Sequence, residues 1–273
     1  MARLFAPLLL LSALSACDNG KDASAEASPS ASVSAVPSAA ASAPVAAPSG
    51  TAREVKIANE LISYEYAYPA VAAAIPALKA LLDADIADRR SVLEDSARTG
   101  RKDAKEGGFE FRPFGYWLDW KVVTELPGWL SLSTEIDTFE GGAHPNHGFD
   151  ALLWDKAANQ RRAATDLFVS KKQLSAAIRD TFCRQIDKQR AEKRGEPVDR
   201  NSEELFNDCI DPLDSTIILG SSNHQTFDRI GVLVAPYDAG AYAEGSYEAT
   251  VPVTAAVLAV VKPEYLASFS VKR

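Results

Sequence analysis

Trp129-Leu-Ser-Leu-Ser-Thr-Glu-Ile-Asp-Thr-Phe139, Glu140-Gly-Gly-Ala-His-Pro-Asn146 and His147-Gly-Phe-Asp-Ala-Leu-Leu-Trp-Asp155 decide the fold. The first piece alternates Leu130, Leu132, Thr134, Ile136 and Thr138, the period of a half-buried strand. The last carries Phe149, Leu152, Leu153 and Trp154. Between them lies a loop rich in Gly, Pro and Asn, the residues that tolerate turn conformations. Two strands around a short loop predict an antiparallel hairpin.

Reading outward, residues 116–124 predict a third strand, turned into the hairpin by Pro127-Gly128. Upstream, residues 53–68 alternate Val55, Ile57, Tyr64, Tyr66 and Tyr68, and read as one strand ending at Pro69. Residues 76–104 predict a long helix. Leu78, Leu81, Leu82, Ile86, Leu93 and Ala97 recur at helical spacing, Pro76 suits its first turn and Gly107-Gly108 ends it. Downstream, Asp155-Lys-Ala-Ala-Asn159 reads as a turn. A second helix over residues 170–191 carries Leu174, Ile178, Phe182 and Ile186 on one face. Strands are expected near 215–219, 226–234 and 247–253, with a short helix over 254–261. Helices and strands do not alternate regularly. The expected class is therefore α+β: a mainly antiparallel sheet with a long N-terminal helix and a second helix packed on it.

The chain starts with Arg3 and an apolar run, residues 4–16, too short for the roughly 20 residues of a membrane span. A charged start, a short apolar core and small residues before a cleavage point describe a signal peptide, residues 1–16. Leu14-Ser15-Ala16-Cys17 resembles the lipobox of bacterial lipoproteins, in which the Cys is lipid-modified (by palmitate among other acyl chains) and becomes the first mature residue. The plainer alternative is an ordinary signal peptide with a chance Cys. Residues 23–50 contain 11 Ala, 8 Ser and 4 Pro. Such a segment has little to bury and cannot offset its ordering entropy. Residues 17–52 read as a lipidated tether whose Ala/Ser/Pro part, residues 23–50, reaches on the order of 90 Å at about 3.1 Å per residue. The expected location is the cell envelope, anchored by lipid to the inner or outer membrane and facing the periplasm.

The chain has 37 Asp and Glu against 29 Lys and Arg, for a net charge of −8. That balance argues against nucleic acid, whose phosphates call for basic residues. It suits a basic partner. With Cys17 taken by lipid, Cys183 and Cys209 remain, and in an oxidising compartment they are most simply a disulfide. A metal-binding pair is the rival.

Two loops carry the candidate chemistry. In the first, Glu140, Gly141, Gly142, His144, Asn146, His147 and the following Asp150 place two of the three histidines near carboxylates. A divalent metal could take His144, His147 and Asp150 or Glu140. The plainer reading is a hairpin loop whose glycines allow positive φ and whose Asn146 caps the turn. The second, Ala235-Pro-Tyr-Asp-Ala-Gly-Ala-Tyr-Ala-Glu-Gly245, offers Tyr237 and Tyr242 as contact surface or as residues fixing a strand connection. There is no nucleophile elbow, phosphate loop, dinucleotide fingerprint or H-E-x-x-H, and no cofactor is implied.

Gly141-Gly-Ala-His-Pro-Asn146, then Ala164-Thr-Asp-Leu-Phe168, then Val234-Ala-Pro-Tyr237, Gly240-Ala-Tyr-Ala-Glu-Gly245 and Val251-Pro-Val253 resemble a family in this order. It is the family of extracytoplasmic domains shared by the lysozyme-sensing anti-sigma factor RsiV and the non-catalytic part of the peptidoglycan deacetylase PdaC. Ile62-Ser-Tyr-Glu-Tyr-Ala-Tyr-Pro69 and the long helix resemble the domain preceding it. The resemblance covers residues 53–266. It divides the chain into a PdaC-like part, residues 53–140, and an RsiV-like part, residues 141–273, sharing a sheet or closely packed. It implies an α+β fold and a non-catalytic binding module for lysozyme, a lysozyme-like protein or peptidoglycan. Contacts are expected at Gly141, Gly142, His144, Asn146, His147, Tyr237 and Tyr242. The alternative is a metal-assisted hydrolase using the His144/His147 loop.

Overall fold

The computed structural model describes residues 50–202 and 204–272. The expected signal peptide, Cys17 and the expected tether up to residue 49 lie outside the described residues. Among those described, no helix is long and apolar enough to cross a membrane.

The predicted strand over 53–68 is two strands, β1 (Arg53–Ala58) and β2 (Ile62–Tyr68), paired antiparallel. The interruption has a local cause. The Asn59 side chain accepts the N–H groups of Leu61 and Ile62 and turns the chain back on itself. After a single helical turn, α1 (Ala70–Ala73), comes α2 (Pro76–Gly107). Pro76 occupies its first turn, and Gly108 closes it in the left-handed region at φ 70°. Leu78, Leu82, Ile86, Leu93 and Ala97 are its buried stripe. Its outer face carries ion pairs one turn apart, such as Arg90–Glu94 at 2.8 Å.

The predicted strand over 116–124 is also two, β3 (Phe114–Asp119) and β4 (Lys121–Glu125). Both pair with β5 (Trp129–Phe139). The break falls at Trp120, whose backbone N–H donates to the carbonyl of Ala67 on β2 and whose indole N–H donates to the Tyr66 hydroxyl at 2.9 Å. β6 (Asn146–Asp155) pairs antiparallel with β5 from Thr138↔Asn146 to Trp129↔Asp155, confirming the hairpin. β7 (Gln160–Arg162) follows a turn whose Asp155 carboxylate accepts the N–H groups of Ala157 and Ala158.

The sheet order is β1-β2-β3-β5-β6-β7, with β4 beside β5. The expectation of a mainly antiparallel sheet needs one correction. β2 and β3 are parallel, because α2 is the crossover between them and a crossover returns the chain in the same direction. The sheet is mixed.

A second correction concerns α3 (Lys171–Arg194), which Ser170 caps by accepting the N–H of Gln173. It packs not on this sheet's helix-bearing face but on a separate antiparallel sheet, β10-β9-β8. The strands are β8 (Thr216–Gly220), β9 (Arg229–Val234) and β10 (Tyr247–Pro252), followed by one helical turn, α4 (Ala255–Leu258).

There are accordingly two hydrophobic cores. One lies between α2 and the mixed sheet. Its floor is Tyr64, Tyr66 and Tyr68, alternate residues of β2 with every ring buried. Their hydroxyls reach α2 at the Ile86 carbonyl, Asp85 and Asp83, at 2.7–2.9 Å. The other joins α3 and the small sheet to the opposite face of the mixed sheet through Leu126, Trp129 and Leu153. β5 and β6 are covered on both faces where Trp129 and Leu153 lie, and exposure rises towards Glu135 and Asp137. That half-open face is where the two candidate loops meet.

Candidate functional site

Strand parity dictates what this face carries. Glu135 and Asp137 are two apart on β5 and so point the same way. Asp137 is paired with His147 on β6, which puts the imidazole beside its carboxylate. The Nδ1 atom of His147 contacts the Asp137 carboxylate and lies 3.9 Å from Glu135. Sequence reading missed both acids. The signal was available: counting back from the Gly141-Gly142 loop through the hairpin register brings residue 137 opposite 147.

The second loop comes down on the same place. The Tyr242 hydroxyl lies 3.0 Å from His147 Nε2 and donates to the Pro145 carbonyl at 2.9 Å. The Tyr242 ring stacks on His144 with centroids 3.9 Å apart, and Tyr237 lies 5.5 Å beyond, tilted by 33°. His144, Tyr242 and Tyr237 therefore form a short ladder of rings next to two carboxylates. Two features hold its tip. Gly141 takes φ 86°, the positive region its residue type allows. Tyr237 takes φ 74°, which costs a residue with a Cβ roughly 1–2 kcal/mol. Its N–H donates to the Gly240 carbonyl at 3.1 Å, and the residue remains 55% exposed.

The Tyr242 loop is fastened from behind by α3. The guanidinium of Arg190, fully buried, donates to the carbonyls of Ala239 and Asp208 at 2.8 and 2.9 Å. Burial lowers its pKa from the usual arginine value. Lys193 donates to the carbonyls of Glu244 and Ser246. Burial alone would raise the Glu244 carboxyl; hydrogen bonds from Tyr247 and Arg194 outweigh it and hold the group below the usual carboxylate range. Tyr247, buried and facing that carboxylate, is pushed up to about 12. Cys183 and Cys209 are disulfide-bonded, with Cα atoms 5.6 Å apart, and tie α3 to the segment bearing Asp208.

Of the expected contact residues, Gly141, Gly142, His144, Asn146, His147, Tyr237 and Tyr242 all lie on these two loops or at the strand end between them. The four residues considered for metal do not come together. Asp150 points to the α2 face, 3.3 Å from Arg161 and 3.6 Å from Arg89. Glu140 lines a cleft of about 310 Å³ between α2 and the sheet, with Arg89 and Tyr116. The Nδ1 atom of His144 faces its neighbour's carbonyl, Pro145 O, at 2.8 Å. Only His147 has carboxylates around it, and they are Asp137 and Glu135.

No curated protein matches the chain. Among solved structures it is similar to a DUF3298 family protein from Pseudomonas aeruginosa PAO1, at 15% identity and TM-score 0.47, over 82% of this chain and 98% of that one. It is also similar to a DUF3298 family member from Bacteroides fragilis NCTC 9343, at 11% identity and TM-score 0.45, over 81% and 97%. Residues 55–147 match the family model described as Deacetylase PdaC, and the PdaC-like resemblance read from residues 62–69 and the helix after them is shown over that span.

Proposed function

We propose that the chain is a non-catalytic binding module of the cell envelope, lipid-anchored at Cys17, that captures lysozyme, another cell-wall-cleaving enzyme or a cell-wall component. One observation carries this reading: the loops around His144 and Tyr237 meet in an exposed ladder of rings beside two carboxylates. Tyrosine offers a broad, stiff contact face with a polar tip. The net charge of −8 suits a basic protein. Sugar rings also stack on such faces. The strained backbone of Tyr237 supports the same reading, because strain persists where a residue must be presented rather than packed.

The test uses the full chain. Lysozyme activity is titrated with it, and retention on insoluble peptidoglycan is measured beside it. Tyr237→Ala is expected to weaken whichever interaction is found. No effect on lysozyme and no retention at about 10 µM, already a weak-affinity regime, ends the proposal.

A further inference from the structure

We propose that Glu135, Asp137 and His147 form a divalent-cation site, of the zinc or manganese type, beneath the two loops. The inference goes beyond partner binding and holds whether or not that reading does. One side-chain atom from each residue lies within 4.8 Å of the other two. Zinc bonds nitrogen and carboxylate oxygen at about 2.0–2.2 Å, which sets ligand atoms roughly 3.4 Å apart around a tetrahedral ion. Glu135, a long side chain 54% exposed, can close that difference by rotating. Asp137 and His147 face each other across a paired register on adjacent strands; their contacting atoms are closer than a shared ion would hold them, and rotation of the Asp137 carboxylate opens that spacing.

The hydrogen bonds around Tyr242 give an independent reason. Its hydroxyl has one proton and two neighbours, Pro145 O at 2.9 Å and His147 Nε2 at 3.0 Å. A carbonyl can only accept; with the hydroxyl donating to Pro145, it accepts from His147 Nε2–H, the tautomer in which the imidazole is ready to bind an ion through Nδ1. Nδ1 is then the free lone pair, and it faces two carboxylates. Among the described residues, no Lys or Arg pairs with either acid. Lone pair against anions is repulsive unless a cation lies between them. The two carboxylates bring two negative charges to one place, which a divalent ion balances. One imidazole with two carboxylates is a donor set that zinc and manganese accept, and three protein ligands leave a position for water or a ligand oxygen. Tyr242 then acts as the outer partner that orients the imidazole.

The experiment is calorimetric titration of Zn²⁺, then Mn²⁺, into the untagged full chain after chelator treatment, with no partner present. The expected result is one equivalent per chain, weakened about tenfold or more by either His147→Ala or Asp137→Asn. His224→Ala, on a remote exposed loop, should leave it unchanged. Glu135→Gln, at an exposed position, gives a further variant whose folding is not in question, and it too should weaken binding. Absence of saturable binding, or binding that survives all three ligand substitutions, would overturn the proposal. So would a proton retained on His147 Nδ1 in nitrogen NMR spectra at saturating metal. None of these results bears on lysozyme or peptidoglycan, which are measured separately.

Discussion

His147 Nε2 lies 3.0 Å from the Tyr242 hydroxyl, a bond between residues 95 positions apart that joins the β5–β6 hairpin loop to the loop before β10. Tyr242→Phe removes this bond and the one to Pro145 while keeping the ring that stacks on His144. Neutral hydrogen bonds contribute about 1 kcal/mol each, less where water can substitute, so a loss of roughly 1–2 kcal/mol is expected in urea unfolding. An unchanged midpoint would mean the loops are held by packing alone.

Tyr237 separates stability from function. Its φ of 74° is strained for tyrosine and easy for glycine, and the residue is more than half exposed. Tyr237→Gly should leave stability unchanged or raise it by up to about 1 kcal/mol, since strain relief competes with the greater freedom of the unfolded chain. Binding of lysozyme or peptidoglycan, where present, should fall in the same variant. A variant that is clearly destabilised shows that the ring packs rather than presents.

Arg190 is the anchor behind the site. Removing it leaves the buried Ala239 carbonyl, and the Asp208 carbonyl beside it, without these donors. Arg190→Met keeps much of the volume but not the donors, and about 3 kcal/mol of stability should be lost. Hydrogen exchange should quicken around Ala239–Tyr242 first. The disulfide acts on the same segment. Cys183 and Cys209 are 26 positions apart, a loop whose closure in the unfolded chain is worth about 3.5 kcal/mol in the entropic treatment. Paired Cys→Ser substitution should lower stability by a comparable amount.

Much of this was legible from residue patterns. Helical spacing points to α2 and α3, alternation to β5, the apolar cluster Phe149, Leu152, Leu153 and Trp154 to β6, and both loops that meet at Tyr242 stand out by composition. Four features were not legible, for different reasons. Asn59 turns the chain through side-chain hydrogen bonds that a run of alternating apolar residues conceals. The parallel β2–β3 pair depends on where α2 deposits the chain, which is a tertiary choice. Glu135 and Asp137 read as ordinary exposed acids of a half-buried strand; only the hairpin register, counted through to residue 147, makes them neighbours of a histidine. The two-faced burial of Trp129 and Leu153 was hidden similarly, because a second sheet covering the far side leaves alternation intact at one end of β5 and erases it at the other.

Asp228 sets the acid limit of the fold. Its carboxylate sits 2% exposed at the turn between β8 and β9, accepting the N–H and hydroxyl of Ser222 and the Arg229 guanidinium. Burial would raise its pKa; those donors outweigh it and hold the group below the usual range. Asp211 is lowered by the N–H of Leu213, with Ser175 adding to it. Asp83 is lowered by Lys79, Tyr68 and Arg53 against its own burial. For each, the folded state binds its proton less readily than the unfolded chain. Their stabilisation is therefore complete above the unfolded carboxylate value of about 4 and is lost as pH falls through the lower folded values. The urea midpoint should stay nearly level from pH 7 to 5 and drop steeply below about pH 4. Asp228→Asn should be less stable at neutral pH, because an amide is a weaker acceptor for Arg229 and Ser222, and its acid slope should be shallower than that of the unaltered chain. Parallel acid slopes for the two proteins would show that Asp228 does not carry the effect and would shift it to Asp211 and Asp83.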